Sequence, residues 1–158
     1  MPEDIVFSQP NTSTPGSRGE PPRLEMLTLC QPNELRSALE CLYVSFYRDP
    51  ADLERYLAPT CLQHLGTLTL SYPQIVEHIK QIRASATKVR YSVVAAISQA
   101  DTIADRHVVE LTSGQGHKVT LEAFCFLRLA HGRIVEIWES VQTLEGDPTL
   151  AAVASAPA

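Results

Sequence analysis

The second half of the chain alternates between apolar and polar residues, and this alternation limits the possible folds more than any other feature. It runs through four segments: residues 89–97, 103–111, 119–129 and 134–141. A period of two places successive side chains on opposite faces of an extended chain, so each segment is predicted to be a β-strand. The connections carry Asp101, Gly114, Gly116 and Gly132, residue types that favour turns. Four consecutive strands joined by turns predict an antiparallel meander.

The first half has the spacing of helices rather than strands. A first helix is predicted from Asn33, as its cap, to about Asp49, because apolar residues recur there every three or four positions. A short second helix is expected after Asp52 and a third near Ser71, with a fifth strand at residues 61–70 between them. Helices followed by a meander predict an α+β fold, in which a curved antiparallel sheet packs on three helices of the N-terminal half.

The two ends of the chain differ in composition from the middle. Residues 1–31 are rich in Pro, Gly, Ser and Thr and are predicted to be a disordered tail, because they can bury little apolar surface. Residues 147–158 are rich in Ala and are predicted to form a flexible C-terminal tail. The folded domain is therefore expected to span residues 32–146, a length that one hydrophobic core can organise.

Charge and hydropathy argue against several classes of partner. The chain has 13 Lys and Arg against 18 Asp and Glu, a net charge of −5 that disfavours binding to nucleic acid or to an anionic membrane. No apolar run reaches the roughly 20 residues of a membrane-spanning helix, and the chain begins with an acidic segment where a secretory signal is basic. We therefore expect a cytoplasmic protein with neither a membrane nor a nucleic-acid partner.

The cysteines and histidines do not have the spacing of a metal site. Cys30, Cys41, Cys61 and Cys125 lie far apart without a C-x-x-C pair, so all four are expected to be free thiols. The sequence contains neither the paired histidines of a helical zinc site nor a glycine-rich phosphate loop. No metal and no cofactor is predicted.

The last predicted hairpin and the first predicted strand carry motifs of a known family. Residues 126–139 read FLRLAHGRIVEIWE, and Gln63-His64 lies in the first strand. On these motifs the chain resembles the SnoaL-like branch of the nuclear transport factor 2-like superfamily over residues 33–145. The resemblance implies a cone-shaped α+β fold, in which a bent sheet wraps around helices, opens to a pocket at one end and commonly forms a homodimer through its outer face.

The resemblance does not select one reaction. Proteins of this kind include ketosteroid isomerases, polyketide cyclases, dehydratases, epoxide hydrolases and binding domains, so the fold alone does not imply an activity. The resemblance implies that Tyr43 and Tyr47 lie in the region that supplies a tyrosine donor in ketosteroid isomerases. Cys125 stands where those isomerases have a protonated Asp, which argues against steroid isomerisation.

Strand parity gives a second route to candidate residues. Asp105 and His107 share the more apolar face of strand 103–111, so both project into the pocket if that face is the inner one. With the faces reversed, both are solvated. Glu139 interrupts the apolar face of the last strand, where burial would raise its pKa into the range of a general acid or base. The alternative for Glu139 is a place at the pocket rim or in an ion pair.

His64 completes the candidate set. By parity it shares a face with Leu62, Leu68 and Leu70 and would point inward, although a histidine bonded to the backbone is the alternative. Glu139 is expected to move a proton while the histidines hold or polarise a substrate oxygen. The predicted catalytic residues are Glu139, His64, His107 and Asp105. The predicted ligand contacts are Ile137, Val141, Cys125, Leu127 and Tyr43.

Two functions of different classes remain open. The first is a cofactor-independent isomerase, cyclase or dehydratase that acts on a small apolar carbonyl compound by general acid–base catalysis. The second is a non-catalytic ligand-binding or dimeric interaction domain. In either case we expect a homodimer, because parity places Phe124, Phe126 and Trp138 on the outer face of the sheet, where a monomer would expose them.

Overall fold

Six strands form one curved sheet in the computed structural model, which describes residues 23–157. They are β1 (Leu57–Leu65), β2 (Leu68–Ser71), β3 (Lys88–Gln99), β4 (Thr102–Thr112), β5 (Lys118–Ala130) and β6 (Arg133–Gly146), in the spatial order β2-β1-β6-β5-β4-β3. Strands β3 to β6 pair in sequence as an antiparallel meander, which confirms the prediction from the alternating segments. β1 instead runs parallel to β6, so the sheet is mixed rather than entirely antiparallel.

The predicted fifth strand is in fact two strands joined by a tight turn. Gly66 has a φ of +59°, a left-handed conformation that favours glycine, and the chain reverses there so that β2 pairs antiparallel with β1. Directly opposite residues of a pair share a face, and the register joins Leu65 with Leu68 and His64 with Thr69. The turn therefore places His64 on the face opposite to that of Leu68, which the assumption of one continuous strand did not foresee.

A β-bulge interrupts the alternation of β6 close to its start. Leu129 of β5 pairs with Ile134, and the preceding Arg128 pairs with Glu136, so Val135 is an extra residue in the ladder. Beyond the bulge, Ile137 faces the core and Glu136 faces outward.

Five α-helices occur between residues 23 and 157, against three predicted for the N-terminal half. They are α1 (Leu24–Leu27), α2 (Pro32–Arg48), α3 (Leu53–Tyr56), α4 (Tyr72–Ser85) and α5 (Pro148–Ser155). The three predicted helices correspond to α2, α3 and α4. The cap of α2 is Gln31 rather than Asn33, because Gln31 and Glu34 form a capping box.

Each predicted tail contains one of the two additional helices. α1 buries Leu24 and Leu27 in the core, so residues 24–27 of the predicted disordered tail are helical, whereas residues 1–22 lie outside the described residues. α5 replaces most of the predicted flexible C-terminal tail. It forms because the Asp147 carboxylate caps its first turn and because Leu150 packs into the core, a tertiary contact that composition does not reveal.

The core lies between the helices and the inner face of the sheet. α2 contributes Leu35, Leu39 and Leu42, each at most 1% exposed, and α4 contributes a buried stripe of isoleucines. The inner face of β4 is buried along its length, from Ile103 to Leu111. This packing fixes α2 and α4 on one side of the sheet and leaves a cavity between them and the strands.

Candidate functional site

The cavity has a volume of about 90 Å³ and a largely apolar wall. Much of that wall comes from α4 and the strands, including Ile75, Ile79, Ile82, Val109, Leu121 and Ala123. The polar groups that line it, apart from the Cys125 thiol, are Tyr43, Tyr47, Gln63, His78, Tyr91, His107 and Glu139. Within residues 23–157 the lining contains no Lys or Arg, so the cavity suits a neutral and mostly apolar molecule.

Asp105 and His107 form a buried pair on the inner face of β4. The uninterrupted alternation of this strand turns both side chains inward, as its sequence pattern predicted. Asp105 accepts a hydrogen bond from Nδ1 of His107 at 2.6 Å, and its other carboxylate oxygen accepts one from the Tyr43 hydroxyl. This bonding fixes the imidazole ring and directs its Nε2 toward the cavity, while Asp105 itself lies behind the lining residues.

Glu139 approaches the same imidazole from β6. Its Oε1 lies 3.9 Å from Nε2 of His107, and its Oε2 accepts a hydrogen bond of 2.8 Å from the amide of Gln63. The side chain is 20% exposed, so the carboxyl is half-buried. Burial raises the pKa of Glu139 above its ordinary value, and the nearby His107 and the Gln63 amide oppose that rise only in part. The carboxyl is thus suited to exchange a proton.

Two tyrosine hydroxyls supply a further polar group in the cavity wall. The Tyr91 hydroxyl donates to the Tyr47 hydroxyl at 3.0 Å, which leaves the proton of Tyr47 free for another acceptor. Burial raises the pKa of Tyr47 to about 12, so this phenol stays protonated at neutral pH. The resemblance implied a tyrosine donor at Tyr43 or Tyr47. Because the hydroxyl of Tyr43 is bonded to Asp105, Tyr47 is the one that can donate to a ligand.

The structure brings together three of the four predicted catalytic residues and separates the fourth. His64 lies on the outer face of the sheet, where its Nε2 is 3.0 Å from Glu136 and its ring stacks on Trp138. The inward orientation predicted for His64 is wrong because the Gly66 turn breaks the parity on which it depended. Gln63, its neighbour in the sequence, points inward instead and bonds to Glu139.

All five predicted ligand contacts line the cavity: Ile137, Val141, Cys125, Leu127 and Tyr43. Burial holds the pKa of the Cys125 thiol well above its ordinary value, so this side chain is a neutral wall group. Sequence reasoning missed Gln63, Tyr91 and His78 as cavity residues. The signal for Gln63 was the Gln63-His64 motif, whose family resemblance pointed to this strand without saying which of its two side chains faces inward. The signal for Tyr91 was its parity with Val89 and Val93 in the alternating segment 89–97.

Other types of site find no support among the residues that the structure describes. No group of three or more His, Cys, Asp or Glu side chains within residues 23–157 has the arrangement of a metal site. In the same part of the chain, no helix has the length and apolar character needed to cross a membrane. The four cysteines are free thiols.

Comparison with known proteins gives matches in structure but not in sequence. No protein-family model and no curated protein matches the chain. AclR from Streptomyces galilaeus, provisionally named a hydroxylase, has a TM-score of 0.60 at 18% identity over 76% of this chain and 83% of its own. IdmH from Streptomyces antibioticus, provisionally named a polyketide cyclase, has a TM-score of 0.56 at 20% identity over 64% of this chain and 86% of its own.

A third structure carries the name of the fold. It is an NTF2-like (nuclear transport factor 2-like) protein of unknown function from an Exiguobacterium species, with a TM-score of 0.53 at 14% identity over 69% of this chain and 94% of its own. Identities this low concern the fold and not the reaction. Together with the curved sheet, the helices on its inner face and the closing hairpin, they confirm the fold that the resemblance implied: this chain has the nuclear transport factor 2-like fold, an α+β cone.

Proposed function

We propose that the protein is a cofactor-independent general acid–base catalyst that acts on a small apolar carbonyl compound, as an isomerase, cyclase or dehydratase. One observation carries the proposal: a buried Asp105–His107 pair presents its free imidazole nitrogen to an apolar cavity, 3.9 Å from the Glu139 carboxyl. Two proton-exchanging groups at this separation can both reach one bound substrate. The structural likeness to IdmH, provisionally named a polyketide cyclase, fits this class of chemistry.

The geometry supports a division of roles. Glu139 removes a proton from the carbon next to the substrate carbonyl, because its raised pKa makes it a stronger base than an ordinary carboxylate. Tyr47 donates a hydrogen bond to the carbonyl oxygen, where negative charge develops. Glu139 then returns the proton to a different carbon, or passes it to His107, whose imidazolium the Asp105 carboxylate stabilises.

Isotope exchange tests this proposal without knowledge of the natural substrate. The full chain is incubated in D₂O with small ketones such as 2-butanone, and deuterium at the carbons next to the carbonyl is followed by NMR. We expect exchange above the buffer rate, and we expect Glu139→Gln to lower the enzymatic rate by about 100-fold or more. His107→Gln should lower it similarly.

The sheet offers matched controls on its outer face. Glu136→Gln changes a glutamate of the same strand, and His64→Gln changes a histidine that the structure places outside the cavity. Neither should alter the exchange rate. Ketone binding without any exchange would contradict catalysis and favour a ligand-binding domain, and equal losses in the inner and outer variants would contradict the assigned roles.

A further inference from the structure

The C-terminal helix α5 forms part of the cavity wall. Its Ala154 lines the cavity beside His78 of α4, and its Leu150 is buried in the core. α5 has only eight residues, a length at which an isolated helix is marginal in water. Its position therefore depends on its contacts with the rest of the protein, and two polar contacts hold it, one at each end.

The first contact is at the N-terminal end of α5. The Asp147 carboxylate accepts hydrogen bonds from the backbone nitrogens of Thr149, at 2.8 Å, and Leu150, at 3.0 Å. Its other oxygen lies 3.2 Å from Nδ1 of His117. The chain reaches Asp147 through Gly146, where a Cβ would lie only 2.3 Å from the carbonyl oxygen of Lys118, so glycine is required for this path from β6 into the helix.

The second contact is at the C-terminal end. Nε2 of His78 donates a hydrogen bond of 2.9 Å to the backbone carbonyl of Val153. Carbonyl groups in the last turn of a helix lack intrahelical partners, so His78 satisfies one of them. His78 is 5% exposed and lies in the wall of the cavity, and the mechanism proposed above does not use it.

We propose that α5 is the wall that limits ligand size, and that His78 is the positioning residue that holds this wall in place. The proposal rests on the proposed function only in treating the cavity as the ligand site. With α5 held, the cavity of about 90 Å³ is smaller than the roughly 150 Å³ that accommodates benzene, so it takes a ligand of few atoms. With α5 released, the side of the cavity formed by Ala154 opens and admits a bicyclic ligand.

The test compares two ketones of different size by binding rather than by turnover. Affinities of the full chain for 2-butanone and for 2-indanone are measured by ligand-observed NMR, and hydrogen exchange of α5 amides is measured in parallel. His78→Leu removes the donor at similar volume. We expect α5 amides to exchange about fivefold faster, the change that loss of one typical hydrogen bond produces, and 2-indanone to gain affinity relative to 2-butanone.

A second variant separates the position of α5 from the lining of the cavity. His78 itself lines the cavity, whereas Asp147 does not, so Asp147→Ala loosens the other end of α5 from outside. Asp147→Ala should shift the ligand preference toward 2-indanone, as His78→Leu does. Asp147→Asn keeps an acceptor oxygen and should retain the wild-type preference. His78→Gln, which keeps a donor, should restore the wild-type profile, and Lys80→Ala on the exposed side of α4 should change nothing.

Each outcome decides the proposal. Unchanged amide hydrogen exchange of α5 in folded His78→Leu protein would overturn the proposal. Faster amide exchange with an unchanged preference between the two ketones would also overturn it, and so would a failure of both ketones to bind. A shift in preference confined to His78→Leu and absent from Asp147→Ala would assign the effect to the cavity lining and overturn the role of α5. If the ketones bind but the protein does not catalyse their deuteration, only the proposed catalytic function is contradicted.

Discussion

Two glutamates three residues apart on β6 meet opposite environments. Glu136, on the outer face, accepts hydrogen bonds from Arg128 at 2.8 Å and from His64 at 3.0 Å, and these hydrogen bonds lower its pKa. Glu139, on the inner face, accepts a hydrogen bond from the neutral Gln63 amide, its one side-chain partner at that distance within residues 23–157, and burial raises its pKa. The same type of side chain is thus an ion-pair partner with a lowered pKa on one face of the strand and a group with a raised pKa on the other.

The contrast extends across the sheet. The outer face pairs Glu110 with Arg90, Glu122 with Arg106 and Glu136 with Arg128. On the inner face the acidic groups are instead bonded to tyrosine, histidine and an amide, because no Lys or Arg lines the cavity between residues 23 and 157. Carboxyl groups that lack permanent cationic partners keep the capacity to exchange protons, so the face of a residue predicts its role better than its type.

The largest effect that we expect on stability comes from the inner face. Asp105→Ala removes the acceptor for both Tyr43 and His107 in a buried site, and should lower the free energy of unfolding by about 3 kcal/mol. Glu110→Ala, which breaks an exposed ion pair with Arg90 on the neighbouring strand, should lower it by less than about 1 kcal/mol. Urea unfolding followed by circular dichroism measures both. A similar decrease in the free energy of unfolding for the two variants would mean that the inner and outer faces do not differ in how much their carboxyl groups contribute to stability.

An intermediate effect is expected on association through the outer face. Phe124 and Phe126 are 48% and 52% exposed there, and Trp138 is 39% exposed, although all three are large apolar side chains. We expect a homodimer that covers them, with a mass near twice 17.4 kDa in sedimentation at micromolar concentration. Phe126→Lys should weaken association by about tenfold or more and leave the unfolding midpoint of the monomer nearly unchanged. A wild-type protein that sediments only as a monomer contradicts this expectation.

The smallest effect concerns the pH dependence of stability, and its sign differs between the two glutamates. Glu139 has a raised pKa in the folded protein. Its contribution to the free energy of unfolding is therefore most favourable below its ordinary pKa of 4.5 and is lost as pH rises through the pKa of the folded state. Glu136 has a lowered pKa in the folded protein. Its contribution to the free energy of unfolding is therefore present above pH 4.5 and is lost as pH falls through the pKa of the folded state.

Two neutral variants make this difference measurable. At neutral pH, Glu139→Gln should unfold at a higher temperature than the wild type, because it removes a buried charge. Glu136→Gln should unfold at a lower temperature, because it removes the ion pair with Arg128. Both differences should shrink as the pH is lowered through the respective folded pKa values. Shifts of the same sign in the two variants would show that β6 does not separate two environments.

The sequence pattern predicted the fold wherever the period was long and unbroken. β4 alternates without a bulge, and parity therefore placed Asp105 and His107 on the inner face. The pattern failed for His64 because a strand that reverses at Gly66 offers only a few residues on each side of the turn. The parallel pairing of β1 with β6 joins segments about 75 residues apart in the chain, and local periodicity carries no information on such pairings.

The candidate site was predictable only in part for a similar reason. Glu139 and four of the five predicted ligand contacts, those on β5 and β6, follow from the alternation of these strands, whereas Tyr43 lies on α2. The bond between Tyr43 and Asp105 joins α2 to β4, and the pair of Tyr47 and Tyr91 joins α2 to β3, so both depend on how the helix is docked on the sheet. α5 was missed because an alanine-rich segment becomes a stable helix here through tertiary packing and the Asp147 cap.

The bulge at Val135 has a consequence for insertions and deletions in chains that share this architecture. Val135 is an extra residue between two pairs that are already in register, so its loss would leave Ile134 opposite Leu129 and Glu136 opposite Arg128. Loss of any one residue between Glu136 and Glu139 would instead turn the carboxyl of Glu139 to the ion-paired outer face. Val135 can therefore be lost without a change of register, whereas the spacing from Glu136 to Glu139 must be kept for Glu139 to reach the cavity.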